Sequence, residues 1–240
     1  GENSNLWFGT NNGLTLYDFN KETFQTFFIA GNATTQINGL SKDSKGNIWL
    51  TTVESGLYSF NTKTQTFRSY YHKVPSKRTT GLVVINKDEL YISCEENYVY
   101  SLKGNDVDNI KINEQFKINK LIDDGAKNKL LIATSKGVLE LDLKTKENKL
   151  KFPFFNEKKG AQSISDLYYQ KSFGWIITTT NNGLFILNED KKIDYFTEDL
   201  FQKDALLFNQ INLIYKDALG TVWIGSQRGL STFNPYNKGI

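Results

Sequence analysis

The stretch "DSKGNIWLTTVESGLYSF", residues 43–60, contains two turns and two short apolar runs, and a close copy, "DALGTVWIGSQRGLSTF", returns at residues 217–233. Aligning the chain on the central large apolar residue of this stretch gives six positions, spaced 40 to 48 residues apart: Trp7, Trp49, Tyr91, Leu131, Trp175 and Trp223. A period of this length indicates a repeat architecture. The sequence therefore predicts about six similar units in tandem.

Each repeat divides into four short strands. In the second repeat, "QINGLSKD", "NIWLTT", "LYSFN" and "QTFRSY" are rich in β-branched and aromatic residues and are separated by turns of Gly, Asn, Asp, Ser and Thr. No segment has a sustained helical period. Four-stranded units at this period predict an all-β protein, a β-propeller of four-stranded antiparallel blades. We expect one propeller segment over residues 1–240, with repeats at approximately 5–28, 36–70, 80–112, 118–152, 163–196 and 209–235.

A glycine follows the second strand of five repeats, at Gly13, Gly56, Gly137, Gly183 and Gly229. We predict a turn with positive φ at these positions, because glycine adopts that conformation without steric cost. Asn97 occupies the equivalent position in the third repeat, and after glycine Asn is the residue that best tolerates positive φ. The four tryptophans are predicted to pack between blades, where each ring buries apolar area and its N–H finds a partner.

Composition excludes several classes of protein. The chain has 240 residues, 39% hydrophobic and 23% charged, with no apolar run long enough to span a membrane. The formal charge of +3 is spread along the chain, which argues against nucleic acid as a partner and favours a solvated surface. The chain has no methionine and no apolar N-terminal signal segment, so we expect it to have been cut from a longer protein.

The chain lacks the residues of most catalytic and metal sites. Cys94 is the only cysteine and His72 the only histidine, which excludes an internal disulfide, a cysteine-based zinc site and a multi-histidine metal site. We interpret His72 as a loop residue, and the pairs Glu95–Glu96 and Asp123–Asp124 as solvated turns. No catalytic residue, metal ligand or cofactor is predicted.

The repeat resembles that of the two-component regulator propeller family, which occurs in the extracytoplasmic sensor regions of hybrid histidine kinases. The match is strong at 5–70 and 209–235 and weak at 80–112, where "VINKDELYIS" shortens the first turn and Tyr91 replaces tryptophan. The resemblance implies a non-catalytic sensor in the periplasm, as part of a larger seven-bladed or double propeller. The predicted strands agree with a fragment of a larger propeller, because the first repeat lacks its first strand and the last repeat lacks its fourth.

Two families of propeller enzyme have related sequence features. The Asp43–Gly46 turn is similar to the Asp box of sialidases, but two residues separate Asp43 from Gly46 where that box has one. Sialidases also need clustered arginines, and this chain has only Arg68, Arg78 and Arg228. Streptogramin lyases use histidine and a metal, for which a single histidine is insufficient. A glycan-cleaving enzyme is therefore the least favoured alternative.

Propellers bind ligands mainly on the face formed by the turns between second and third strands and by the links between blades. Planar amides and carboxylates beside aromatic rings suit sugar hydroxyls. We predict an oligosaccharide ligand there, with neighbouring propeller or receptor domains, or a second copy of the chain, as partners, and no contact with nucleic acid or membrane. The alternative is a structural scaffold in a secretion or cell-surface assembly. The candidate residues are Asn11, Asn12, Glu54, Glu95, Lys136, Asn181, Asn182, Gln227 and Arg228 in the turns, with Tyr71 and Phe155 in the links.

Overall fold

The computed structural model describes residues 5–29, 34–86, 89–152, 155–156, 160–171, 173–199, 205–217 and 219–233, without the side chains of 155–156, 160–161 and 233. Every regular element in these ranges is a β-strand. The described residues contain no helix that could cross a membrane. The all-β prediction is confirmed.

The chain divides into two compact units, with the boundary between Leu121 and Ile122. The first unit contains three sheets of consecutive antiparallel strands. Blade 1 consists of β1 (Asn5–Thr10), β2 (Gly13–Asp18) and β3 (Thr23–Phe27); blade 2 of β4 (Ile37–Lys42), β5 (Ile48–Thr52), β6 (Leu57–Asn61) and β7 (Thr66–Ser69); and blade 3 of β8 (Thr79–Ile85), β9 (Glu89–Cys94), β10 (Tyr98–Lys103) and β11 (Asp106–Lys111).

The remaining strands repeat this pattern. Blade 4 consists of β12 (Ile118–Ile122), in which the unit boundary falls, β13 (Lys129–Thr134), β14 (Gly137–Asp142) and β15 (Asn148–Phe152). A two-stranded pair, β16 (Phe155–Asn156) and β17 (Gly160–Ala161), follows. Blade 5 consists of β18 (Ile164–Gln170), β19 (Gly174–Thr179), β20 (Leu184–Leu187) and β21 (Ile193–Phe196), and blade 6 of β22 (Ile211–Lys216), β23 (Val222–Ser226) and β24 (Gly229–Phe233). These are six β-propeller blades; in the described residues blade 1 has no first strand and blade 6 no fourth.

The first turn of the repeated phrase is built around one aspartate. Asp43 Oδ1 accepts hydrogen bonds from the backbone N–H groups of Lys45 and Asn47, and its Oδ2 accepts one from the Trp49 indole at 3.1 Å. Asp217 does the same in blade 6, where its Oδ2 lies 2.9 Å from the Trp223 indole nitrogen. The phrase recurs because its aspartate both closes the turn and holds the tryptophan ring.

Successive blades pack through apolar side chains. In the first unit, Leu14 of blade 1 and Ile29, which follows that blade, form one cluster with Ile48, Leu50 and Phe60 of blade 2, and Trp7 packs against it. Trp49 packs in the same way against the cluster that joins blade 2 to blade 3. The predicted inter-blade role is confirmed for these two tryptophans.

The alignment of Trp175 with the other tryptophans is wrong by one residue. Thr179 ends β19 as Thr52 ends β5, so the residue equivalent to Trp49 is Ile176, which packs toward blade 6. Trp175 lies on the opposite face of the strand and packs toward blade 4. A shift of one residue reverses the face because side chains alternate along a strand.

The inter-blade role of Trp223 stays a prediction. Its ring is partly buried and bonded to Asp217, but neither of the two hydrophobic clusters described for the second unit includes it. An inter-blade role is therefore not supported for Trp223 among the described residues.

Candidate functional site

The turns between second and third strands share a hydroxyl that the sequence analysis missed. In five blades the last residue of the second strand is a threonine or serine whose hydroxyl donates to the carbonyl of the turn glycine at 2.8–3.0 Å: Thr10, Thr52, Thr134, Thr179 and Ser226. The same oxygen accepts a backbone N–H from within the turn. The five glycines have φ between +73° and +136°, as predicted. The hydroxyl and the glycine define the turn, and the residues between them carry the candidate side chains.

Blade 3 keeps the turn with different residues. Cys94 takes the place of the threonine, and the N–H of Asn97, at φ +59°, donates to the Cys94 carbonyl. Burial raises the pKa of the Cys94 thiol to about 12, so the thiol stays protonated and unreactive at neutral pH. The positive φ predicted at Asn97 is confirmed.

The two adjacent glutamates in this turn, Glu95 and Glu96, bind different partners. The Glu95 Oε2 forms an ion pair with the Arg78 guanidinium at 3.1 Å, whereas Glu96 accepts a hydrogen bond from the Ser76 hydroxyl at 2.8 Å. Each carboxylate therefore has its own partner on the link between blades 2 and 3. This arrangement fits a structured surface turn and not an acid–base dyad.

In the first unit, the link between blades 2 and 3 carries one candidate residue and bonds to the turns that carry two others. Tyr71 lies on this link with 45% of its surface exposed. The link bonds to the turn of Glu54 through Gly56 N–H and the Lys77 carbonyl at 2.8 Å, and to Glu95 through Arg78. Asn11 and Asn12 are exposed in the blade 1 turn and have no described bond to this link.

In the second unit, a short segment before β22 connects the candidate residues of blades 5 and 6. The Gln210 amide donates to Asn181 Oδ1 at 3.2 Å, and the Arg228 guanidinium carbon lies 4.3 Å from the centroid of the Phe208 ring. We call Asn181, Phe208, Gln210 and Arg228 the amide–arginine surface. Side chains from two turns, 47 residues apart in sequence, thus contact one three-residue segment.

The other candidates are less closely grouped. Asn182 is half-buried, and its amide donates to Gln162 Oε1, so this side chain has an internal role. Gln227 is exposed beside Arg228, and Lys136 is exposed in the blade 4 turn. The side chain of Phe155 lies outside the described residues. The sequence analysis missed Phe208 and Gln210; their position directly before the first strand of the last blade was the available indication.

The described residues were compared with the side-chain clusters that hold metal ions and with the expected role of His72. They contain no cluster of three or more His, Cys, Asp or Glu side chains that could hold a metal ion. The His72 ring stacks on Tyr70 with centroids 6.2 Å apart, which fits a loop residue. The amide–arginine surface combines planar hydrogen-bonding groups with an aromatic ring, and such a surface is suited to binding a polar ligand.

Comparison with known proteins finds no family and no curated protein that matches the chain. Among solved structures, the extracellular domain of the hybrid two-component system BT3049 from B. thetaiotaomicron has a TM-score of 0.79 at 19% identity, with 98% of this chain and 32% of that chain covered. That of BT4673 from the same organism has a TM-score of 0.79 at 17% identity, with 95% and 31% covered. The chain thus spans about a third of these relatives, and they confirm the propeller fold that the repeat resemblance implied.

Propellers of other classes are also similar in fold. PorZ of the type IX secretion system of Porphyromonas gingivalis has a TM-score of 0.70 at 17% identity, with 95% of this chain and 37% of that chain covered. Virginiamycin B lyase from Staphylococcus aureus has a TM-score of 0.71 at 11% identity, with 99% and 83% covered. At these identities the likeness establishes the fold alone.

Proposed function

We propose that the chain is a non-catalytic, ligand-binding propeller in the extracytoplasmic part of a two-component signalling receptor. Support comes from the similarity in fold to extracellular domains of hybrid two-component systems and from the resemblance of the repeat. An extracytoplasmic location agrees with those relatives. The described residues have no metal cluster, and their only histidine is stacked on a tyrosine, which gives no support to lyase or sialidase chemistry.

The observation that carries the proposal is the amide–arginine surface. Arg228 forms no ion pair with any described acidic residue, and its guanidinium lies against Phe208. Stacking on an aromatic ring leaves the planar edge of a guanidinium available for paired hydrogen bonds to a carboxylate or to vicinal hydroxyls. Asn181 and Gln210 supply amides beside it. This combination suits an oligosaccharide, and an acidic one in particular.

Signal relay would follow from differential binding. A ligand that binds more tightly to one arrangement of receptor domains shifts the population toward that arrangement. Neighbouring domains of the receptor, or a second copy of it, are the partners that such a relay requires.

Replacing Arg228 with Ala is expected to weaken binding of the cognate oligosaccharide at least tenfold, because a charge-assisted bidentate contact is lost. The thermal midpoint should stay within about 1 °C, since an exposed side chain contributes little to folding. Glycan-array screening of the chain would identify the ligand, and calorimetry would give the affinity. Lys144→Ala, which removes an exposed cation in the turn between β14 and β15, is the matched control and should bind normally.

An unchanged affinity in a folded Arg228→Ala variant would exclude the amide–arginine surface as the binding site. The same variant in the full-length receptor should shift the inducer dose response to higher concentration.

An interaction scaffold is the second candidate function. Blade 1 exposes an aromatic patch in which Phe24 is 69% and Phe8 39% exposed, with Tyr17 packed against Phe24 at 4.7 Å between centroids. Contiguous exposed apolar groups mark protein-binding surfaces. If this function is correct, co-purified partners should be lost from a Phe24→Ser variant, while oligosaccharides should not bind.

A further inference from the structure

A recess of the first unit, with a lining that is part polar and part apolar, lies between blades 2 and 3, away from every candidate residue above. It has a volume of about 360 Å³ and opens beside the Asp43–Asn47 turn. This turn precedes β5, whereas the Thr52 turn follows it, so the recess opens at the opposite end of the blade from the turns described above. It is lined by Asp43, Lys45, Asn47, Trp49, Tyr70, Val84, Leu90, Leu102 and Gly104. A volume of this size suits a single-ring ligand.

Comparison with the neighbouring blade shows why this recess is open. At the first interface, the Trp7 ring packs against Phe27 at 5.8 Å and against Phe60 at 5.5 Å between centroids. Phe60 pairs with Ile48, directly before Trp49, and Leu102 pairs with Leu90, directly before Tyr91. Leu102 is therefore the blade 3 equivalent of Phe60.

The second interface consequently keeps only one of the two aromatic contacts. Tyr70 packs against Trp49 at 4.7 Å between centroids, as Phe27 does against Trp7. The smaller Leu102 stands where the second ring would be, and Gly104 at the next turn has no side chain. The recess has one aromatic face, formed by Trp49 and Tyr70, and one aliphatic face.

The polar part of the lining offers donors and few acceptors. Asp43 accepts four hydrogen bonds, from two backbone N–H groups, the Asn47 amide and the Trp49 indole, so its acceptor capacity is used. Lys45 is exposed at the mouth and forms no ion pair with a described residue. A second cation, Arg68, lies 5.3 Å above the Tyr70 ring.

We infer that this recess binds an aromatic carboxylate, with the ring between Trp49 and Leu102 and the carboxylate at the Lys45 ammonium. Ring stacking on an indole and burial against leucine supply the apolar contact, and the ammonium supplies a charge-assisted hydrogen bond. The site is independent of the proposed oligosaccharide site, because it uses none of the same residues.

The test uses three matched probes with the 240-residue chain: phenylacetate, its uncharged analogue phenylacetamide, and the cation phenethylamine. Ligand-observed NMR and calorimetry are expected to show saturable binding of phenylacetate with a Kd of about 1 mM or lower, a reasonable value for a ligand of about ten heavy atoms. The amide should bind about tenfold more weakly, and the amine more weakly still. Tighter binding of the amide or of the amine would overturn the proposal.

Two variants locate the site. Leu102→Phe, which copies the residue found at the first interface, should abolish binding by filling the recess. Lys45→Ala should weaken phenylacetate about tenfold and leave phenylacetamide unchanged. Lys63→Ala, which removes an exposed lysine in the turn between β6 and β7 of the same blade, should change neither. Because Lys45→Ala removes only an exposed side chain, it keeps the test valid if Leu102→Phe is poorly folded. Equal phenylacetate affinity in wild type and Lys45→Ala would overturn the assignment.

Discussion

Replacing Trp49 with Ala is expected to lower the free energy of unfolding by about 3–5 kcal/mol, because the change removes a large ring from the contact between two blades and leaves a cavity. The ring packs against the cluster containing Leu57 and Leu90, and its N–H donates to Asp43. Urea unfolding followed by circular dichroism, which should show a β-dominated spectrum, would measure the loss.

Trp223→Ala is the matched control for this prediction. Trp223 donates to Asp217 just as Trp49 donates to Asp43, but it is absent from the clusters described for its unit. We expect a loss of about 1–2 kcal/mol, mainly from the hydrogen bond and partial burial. Equal losses in the two variants would show that the turn hydrogen bond, and not packing between blades, determines the effect.

The second large effect is expected in acid, at Glu140 on the third strand of blade 4. Its side chain is 9% exposed, and its carboxylate lies 2.8 Å from the Lys129 ammonium and 3.0 Å from that of Lys151, with Lys149 at 3.6 Å. The hydrogen bond from Lys129, followed by that from Lys151, lowers the pKa of Glu140 to about 2. A lowered pKa in the folded state means that this ion cluster stabilises the fold above the unfolded-state pKa of about 4.5.

The stabilisation, up to about 3 kcal/mol, should be lost as pH falls from about 4.5 to about 2. Urea midpoints of the wild type and of Glu140→Gln, measured from pH 7 to pH 2, should differ at neutral pH and converge in acid. Glu147→Gln, an exposed neighbour, should follow the wild type throughout. A constant difference between wild type and Glu140→Gln across this range would refute the assignment of the pKa.

The period, the strands and the turn glycines could be predicted because each is encoded locally. A run such as "NIWLTT" shows its strand character in six residues, and positive φ at the turn favours glycine wherever it falls. Trp175 was misaligned because the alignment matched tryptophan with tryptophan. The face on which a side chain lies depends instead on its distance from the end of the strand, which is Thr179 in β19. The equivalence of Trp49 with Ile176 follows from that threonine.

The site could be predicted only in part, because its contacts depend on how distant segments pack. The candidate turn residues were identified from their position after each second strand. Nothing in the spacing of Arg228 indicates that it lies on Phe208, and the recess beside Trp49 depends on the difference between Leu102 and Phe60. Likewise, the sequence does not indicate that Lys129, Lys149 and Lys151 surround Glu140, because these side chains meet only when the strands of blade 4 pair.

The threonine–glycine turn separates what must stay constant from what can change. Thr134 and Gly137 hold the blade 4 turn through one hydroxyl, and Ser226 and Gly229 hold the blade 6 turn in the same way, whether the two residues between them are Ser-Lys or Gln-Arg. The side chains that a turn exposes can therefore differ from blade to blade while the conformation of the turn stays the same. A lineage of such repeats can acquire new recognition properties by exchanging two or three residues per blade, and a protein engineer could recombine them in the same way.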